Sequence, residues 1–300
     1  MPIQQFSDKL SDILDVSQEI ITIGVGYGGD YGPAEGPLWW QESSSLLFSD
    51  IHNSNRMSWS FGETPKIIKT GTNQANGLTR DLQGRLLVCE QALNRVIRIE
   101  LDGSTTVIAS IFQGKPLNRT NDVVVKSDGS IYFTDPFNRR NLSNETTMDF
   151  AGVYRVSPDL GTMTLLVSDF VHPNGLAFSP DESLLYVNDS RKAIIRSFEL
   201  NPDGTLARGT DRVFTDVSGA APGVADGMKV DIHGNVYCGG AGGLWIIDSS
   251  GVLLGIIDHG EDSTSNLAFG GDNWDVLFIT TGTTVCSVSL KVSGIKVPVV

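Results

Sequence analysis

Alternating apolar and polar positions divide most of the chain into short runs of one recurring form. Each begins with a polar residue, continues through a few alternating apolar positions into a turn, and ends in a second apolar run. Six segments fit: EGPLWWQESSSLLFSD from Glu35, NGLTRDLQGRLLVCEQ from Asn76, NDVVVKSDGSIYFTD from Asn121, NGLAFSPDESLLYVND from Asn174, DGMKVDIHGNVYCGG from Asp226 and NLAFGGDNWDVLFIT from Asn266. Their openings lie 41, 45, 53, 52 and 40 residues apart, room for four strands of about five or six residues with their turns. In the second repeat the strands are legible one by one. LLVCE, VIRIEL and TTVIAS follow NGLTR, with Asp102-Gly103 as a hairpin signal between the last two. One such sheet cannot bury both faces alone, so six must pack radially. The predicted fold is all-β: a six-bladed β-propeller with four antiparallel strands per blade, one domain over residues 1–300. Residues 1–18 form an N-terminal extension, with helical periodicity confined to about the first fifteen. The sixth repeat lacks a fourth strand, which EIITIGVG (19–26) is the best candidate to supply, closing the ring.

Composition agrees with this picture, since 33 Gly, 12 Pro and 40% hydrophobic residues describe a turn-rich globular chain. The formal charge of −13 argues against nucleic acid or an anionic membrane as a partner, because either needs a basic face. No secretory signal or membrane-length apolar run is visible, so the expected location is cytoplasmic. Cys89, Cys238 and Cys286 are odd in number and lack metal-type spacing; they are expected as buried thiols in strands. Asn118-Arg119-Thr120, Asn141-Leu142-Ser143 and Asn144-Glu145-Thr146 match the glycosylation triplet, a pattern without meaning in cytoplasm.

Asn-Gly or Asp-Gly at 76, 174 and 226 could simply be turns. Against this, the hairpin turns already sit six to eight positions later, at Asp128-Gly129 and Leu82-Gln83-Gly84, and Glu35 is a poor turn former in the same phase. In a propeller the first strand of each blade lines the central channel, so six opening side chains would converge at one end of it. Glu, Asp and Asn offer only oxygen there, the ligand chemistry of a hard cation. One divalent ion is expected, calcium by best match, with magnesium, manganese and zinc as alternatives; zinc would want His or Cys. An ion that merely pins the blades together would leave the same trace.

These residues carry a resemblance to the gluconolactonase and senescence-marker-protein (regucalcin) family, especially its bacterial gluconolactonase-like branch. PAEGPLWW with LLFSDI, GKPLNRTNDVVVKSDGSIYFTDP, HPNGLAFSPDESLLYVND, VADGMKVD and TSNLAFGG appear in family order from about Gly32 to Leu290. The resemblance implies a six-bladed propeller with metal held by Glu35, Asn174 and Asp226, and related phosphotriesterase-type propellers add Asn121. It also implies that Asp226 serves as general base. The expected activity is hydrolysis of an aldonolactone, assisted by a Lewis acid. Arg119, two before Asn121, matches the substrate arginine of regucalcin-like members; the alternative is a rim residue paired with an acid.

Asn76, Asn121, Asn266, His172 and Arg119 suit the hydroxyls of a sugar-type lactone, while His172 has an equal alternative role bracing the turn before Pro173. Asp122 is expected to face away and bond a neighbouring blade, Asp135 to cap a turn, and Trp39 and Trp40 to pack between blades. His52 and Asn53 are expected in a solvated turn, with the pocket rim as the alternative. A phosphotriesterase using the same metal site and a propeller that only binds a partner remain rival functions. Oligomeric state is not legible.

Overall fold

The computed structural model describes residues 2–137 and 147–298. Strands gather into six four-stranded antiparallel sheets, each a blade of one ring, with a fifth strand added to one of them. Blade one runs through Ala34–Trp40, Ser45–Asp50, Asn55–Ser60 and Lys66–Thr70. The later blades open with inner strands Ala75–Arg80, Val123–Val125, Pro173–Phe178, Met228–Val230 and Thr264–Gly270. Radial packing grades the exposure of each sheet. The inner strand of blade one is buried through Trp39, whereas every residue of its outermost strand is exposed.

Ring closure follows the expectation from sequence: Ile21–Val25 pairs antiparallel with Thr284–Ser289, giving blade six an outer strand from the opposite end of the chain. The turns also fall where expected, with Gly84, Gly103 and Gly129 at φ of +76°, +83° and +87°. The N-terminal extension departs from its reading. Its helix is a single turn, Leu10–Ile13, and Ile3–Gln5 adds a fifth strand to blade five. Tertiary context overrides propensity here, because Leu10, Ile13 and Leu14 find a buried apolar seat against blades five and six.

Apolar clusters fill the seams between blades, as the stacked Trp39 and Phe278 illustrate at 5.4 Å between blades one and six. Trp40 lies instead under the Arg80 guanidinium, 4.1 Å from its ring centre. Both tryptophans therefore serve packing. All three cysteines are buried free thiols. Asn118 is buried as well, so its glycosylation triplet is closed off, while the triplets at 141–146 lie outside the described residues. Among the described residues no helix is long and apolar enough to cross a membrane.

Candidate active site

The structure brings all six repeat-opening residues to one end of the channel. In blades one, two, four and six the inner strand carries a bulge there, between Glu35 and Leu38, Ala75 and Leu78, Pro173 and Leu176, and Thr264 and Asn266. An extra residue bends a strand and re-aims its side chains. The Asn-Gly and Asp-Gly pairs are not hairpin turns. Gly77 lies inside a strand, where its N–H donates to Asn121 O of the next blade at 2.9 Å. The small residue is needed because neighbouring inner strands touch: a Cβ on Gly36 would lie 2.1 Å from Asn76 O, and one on Gly227 2.2 Å from the Asn266 side chain.

Glu35, Asn76, Asn121, Asn174 and Asp226 line a cavity of about 470 Å³, with Arg119 and His172 on its wall. Asn76 Nδ2 donates to Asn121 Oδ1 at 2.7 Å, and Asn174 Nδ2 donates to Ser190 Oγ at 3.1 Å. Neither bond uses the side-chain oxygen of Asn76 or Asn174. Asn76 Oδ1 and Asn174 Oδ1, with Gln91 Oε1 nearby, are buried and meet no donor among the described residues. Such orphaned acceptors cost about 1–3 kcal/mol each unless a ligand or water completes them.

Of the two carboxylates of the layer, Glu35 is buried and Asp226 half-buried at the cavity wall. Burial pushes Glu35 up to about 8, reinforced by the charge of Asp122 and opposed by the Gly36 N–H, which donates to Oε2 at 2.6 Å. Burial also raises Asp226 well above the carboxylate range, and Glu35 adds to the rise. Two such groups in one site resist ionising together. A cation between them reverses that preference, and the orphaned amide oxygens complete an oxygen-only donor set. The Glu, Asp and Asn side chains of the layer offer oxygen, a donor chemistry that would suit a hard divalent ion better than zinc; among the described residues no group of three or more His, Cys, Asp or Glu comes together.

Two residues take places that sequence reasoning did not assign them. Asn266, expected to reach substrate, stands behind Glu35: its Nδ2 donates to Glu35 Oε2 at 2.9 Å and its Oδ1 accepts from Leu267 N and Lys229 Nζ. Asp122, expected to bond a neighbouring blade, accepts its own Val123 N–H and lies 3.7 Å from Lys229 Nζ of blade five. A buried carboxylate seeks a cation, and Lys229 is the one within reach. His52 lies half-exposed in a turn as expected, and there it stacks on Tyr31 at 5.5 Å.

A ring of carboxylates at the ends of the second strands was also missed as a set. Asp135 accepts the backbone N–H of Asn118 and Arg119 at 2.8 and 2.7 Å, and Asp189 accepts those of Val171 and His172 at 2.8 and 3.2 Å. Asp50 takes Gly28 N, and Glu90 takes Asn73 Nδ2 at 2.9 Å. The loops that present Arg119 and His172 to the cavity are thereby clamped from below. Burial lifts Asp135 to about 7 despite these donors. Burial lowers His172, with Asp189 opposing, so its imidazole is held neutral near pH 7. The signal was present in the repeats: LLFSD, LLVCE, IYFTD and LLYVND all end in an acid at the same phase.

Fold and site together define a six-bladed propeller whose channel mouth is an open pocket carrying a layer of side-chain oxygens. The sequence pattern of the SMP-30/Gluconolactonase/LRE-like region matches residues 33–283, and the chain belongs to this family. It is 32% identical to a gluconolactonase of Zymomonas mobilis, over 97% of this chain and 87% of that protein. A pentonolactonase of Haloferax volcanii is 26% identical over 82% of this chain and 80% of its own length. A solved structure of a gluconolactonase from Xanthomonas campestris superposes with a TM-score of 0.84 at 30% identity, covering 97% of this chain and 95% of that one.

Proposed function

We propose that the protein is a lactonase that opens a sugar-type lactone with the help of one divalent cation, most fittingly calcium. The observation that carries the reading is the gathering of two electrostatically coupled carboxylates, Glu35 and Asp226, with the orphaned amide oxygens of Asn76 and Asn174 around one cavity. The gluconolactonase and pentonolactonase relatives support the substrate class. Glu35, Asn174 and Asp226 would hold the ion, with Asn121 beside them. When bound, such an ion supplies Lewis-acid polarisation of an ester carbonyl.

The chain's own residues do the rest. Asp226 accepts the proton as water attacks the acyl carbon; a carboxylate that binds through one oxygen keeps the other for this. The ring C–O bond then breaks, and the proton passes to the departing ring oxygen, leaving a hydroxy acid. Glu35 is held in place by Asn266 and Gly36, and so contributes charge at a fixed point. Arg119 and neutral His172 offer donors to substrate hydroxyls from clamped loops, and Asn76 offers its free amide oxygen as an acceptor.

The test is hydrolysis of a panel of aldonolactones and a phosphotriester by chelator-treated protein, before and after calcium is restored. Activity on lactones that returns with the ion supports the proposal. Undiminished activity without it removes the metal from the mechanism, and activity on the triester alone transfers the site to phosphoryl chemistry.

A further inference from the structure

Between the outer strand of blade six and the inner strand of blade one, residues 26–33 fold back over the cavity as a short strap. Gly29 and Gly32 exchange both backbone N–H···O bonds, at 3.0 and 3.1 Å, so Asp30 and Tyr31 form the tip of a two-residue hairpin. The strap is tied down on several sides. Gly28 N–H donates to Asp50 Oδ1 at 3.2 Å, Tyr31 N–H donates to His52 Nδ1 at 3.3 Å, and Arg119 Nη2 donates to Tyr31 O at 3.2 Å. Gly29 lies directly on the imidazole, since a Cβ there would sit 2.7 Å from the His52 ring. The Tyr31 ring stacks on the same imidazole at 24°.

Tyr31 nonetheless stays 50% exposed and, with Asp30, lines the cavity. That cavity presents hydrogen-bonding side chains from Glu35 and Asn76 round to His172 and Asp226. Hydroxylated rings present O–H groups at their edges and polarised C–H bonds on their faces. The polar wall suits the edges, and a large aromatic ring held at the mouth suits a face. We propose that Tyr31 is a specificity-determining residue whose ring covers the C–H face of a polyhydroxylated lactone. The strap ties it between blades one and three, so the ring is presented in advance and little ordering is needed on binding. This inference rests on the lactonase reading above.

The experiment measures kcat/KM for glucono-δ-lactone and for δ-valerolactone, whose ring lacks hydroxyls, with the calcium-loaded wild type, Tyr31→Ala and Tyr31→Phe. The wild type is expected to prefer the hydroxylated lactone. Tyr31→Ala should narrow that preference about tenfold, the scale of one good aromatic contact, with the loss falling on KM. Tyr31→Phe should keep the preference, because it keeps the ring. An unchanged preference in Tyr31→Ala overturns the inference while leaving the lactonase reading intact, as does a Phe variant that loses as much as Ala. A wild type that hydrolyses neither lactone overturns both. Thermal melting of each variant shows whether a loss comes from the site or from the fold.

Discussion

The two ends of the central channel are built by the same six strands, yet they differ in how completely their polar groups are satisfied. At the upper end Asn76 Oδ1, Asn174 Oδ1 and Gln91 Oε1 meet no donor among the described residues, and two electrostatically coupled carboxylates share the layer. The lower end is apolar, with Leu38, Leu78, Phe178 and Phe269 closed over by Ile295 and Val297 of the C-terminal segment. Charges at its rim are paired, Lys126 with Glu182 at 3.0 Å and Arg80 with Glu42 at 2.6 Å. None of the described orphaned acceptors belongs to that end. One end is finished as a core. The other is finished only when something binds.

The largest effect should follow from Asp226→Asn, which keeps an oxygen for the ion but cannot take a proton. Turnover of an active lactone should fall roughly 10²–10⁴-fold while calcium binding, read by calorimetry, persists. Wild-type turnover in this variant would reduce Asp226 to a ligand and leave Asp135, buried and titrating near 7, as the next base to test.

A matching cut at the lower end should do the reverse. Phe269→Ala removes a ring packed edge-on against Tyr237 at 5.1 Å and should cost about 3–5 kcal/mol in denaturant unfolding, with KM unmoved. A change in KM would mean that the two ends are coupled.

Removing the ion should come next in size. At a calcium concentration one hundred times its dissociation constant the folded protein gains about 2.7 kcal/mol, so chelation should lower the melting temperature by the corresponding amount. Equal melting with and without chelator would count against a site in the ring.

A last prediction sharpens the electrostatic half of the comparison. In metal-free protein Glu35 titrates near 8 when folded, against an ordinary value of 4.5. Between those values the folded state holds a proton that the unfolded chain has released, so stability should decline as pH rises from about 4.5 toward 8 and level off above. Saturating calcium should flatten that decline, because the ion takes the proton's place. Melting curves at intervals across this range, with and without the ion, give both slopes.

Much of this was legible in the chain. The six opening residues announced themselves by phase, and EIITIGVG declared its role by being the one strand without a partner. Asn266 shows where such reading stops: its phase placed it in the polar layer, but not behind Glu35. Whether an amide faces a cavity or a neighbour depends on a bulge and on where Lys229 ends, and neither has a signature in single-sequence periodicity. The strap was equally hidden, because GYGGDYGP reads as a flexible turn until His52, Asp50 and Arg119 are seen to hold it.

By itself the sequence determined the all-β architecture, the number of blades, the closure of the ring and the oxygen chemistry at one end of the channel. These follow from local alternation and repeat spacing, which act over a few residues and survive in one dimension. Tertiary structure alone decided which oxygens were left without partners, how far the carboxylates were driven from their usual titration, and that Tyr31 stands at the mouth. Those properties arise from burial and from contacts between residues tens to hundreds of positions apart, such as Asn266 with Glu35, and exist only once the ring has closed.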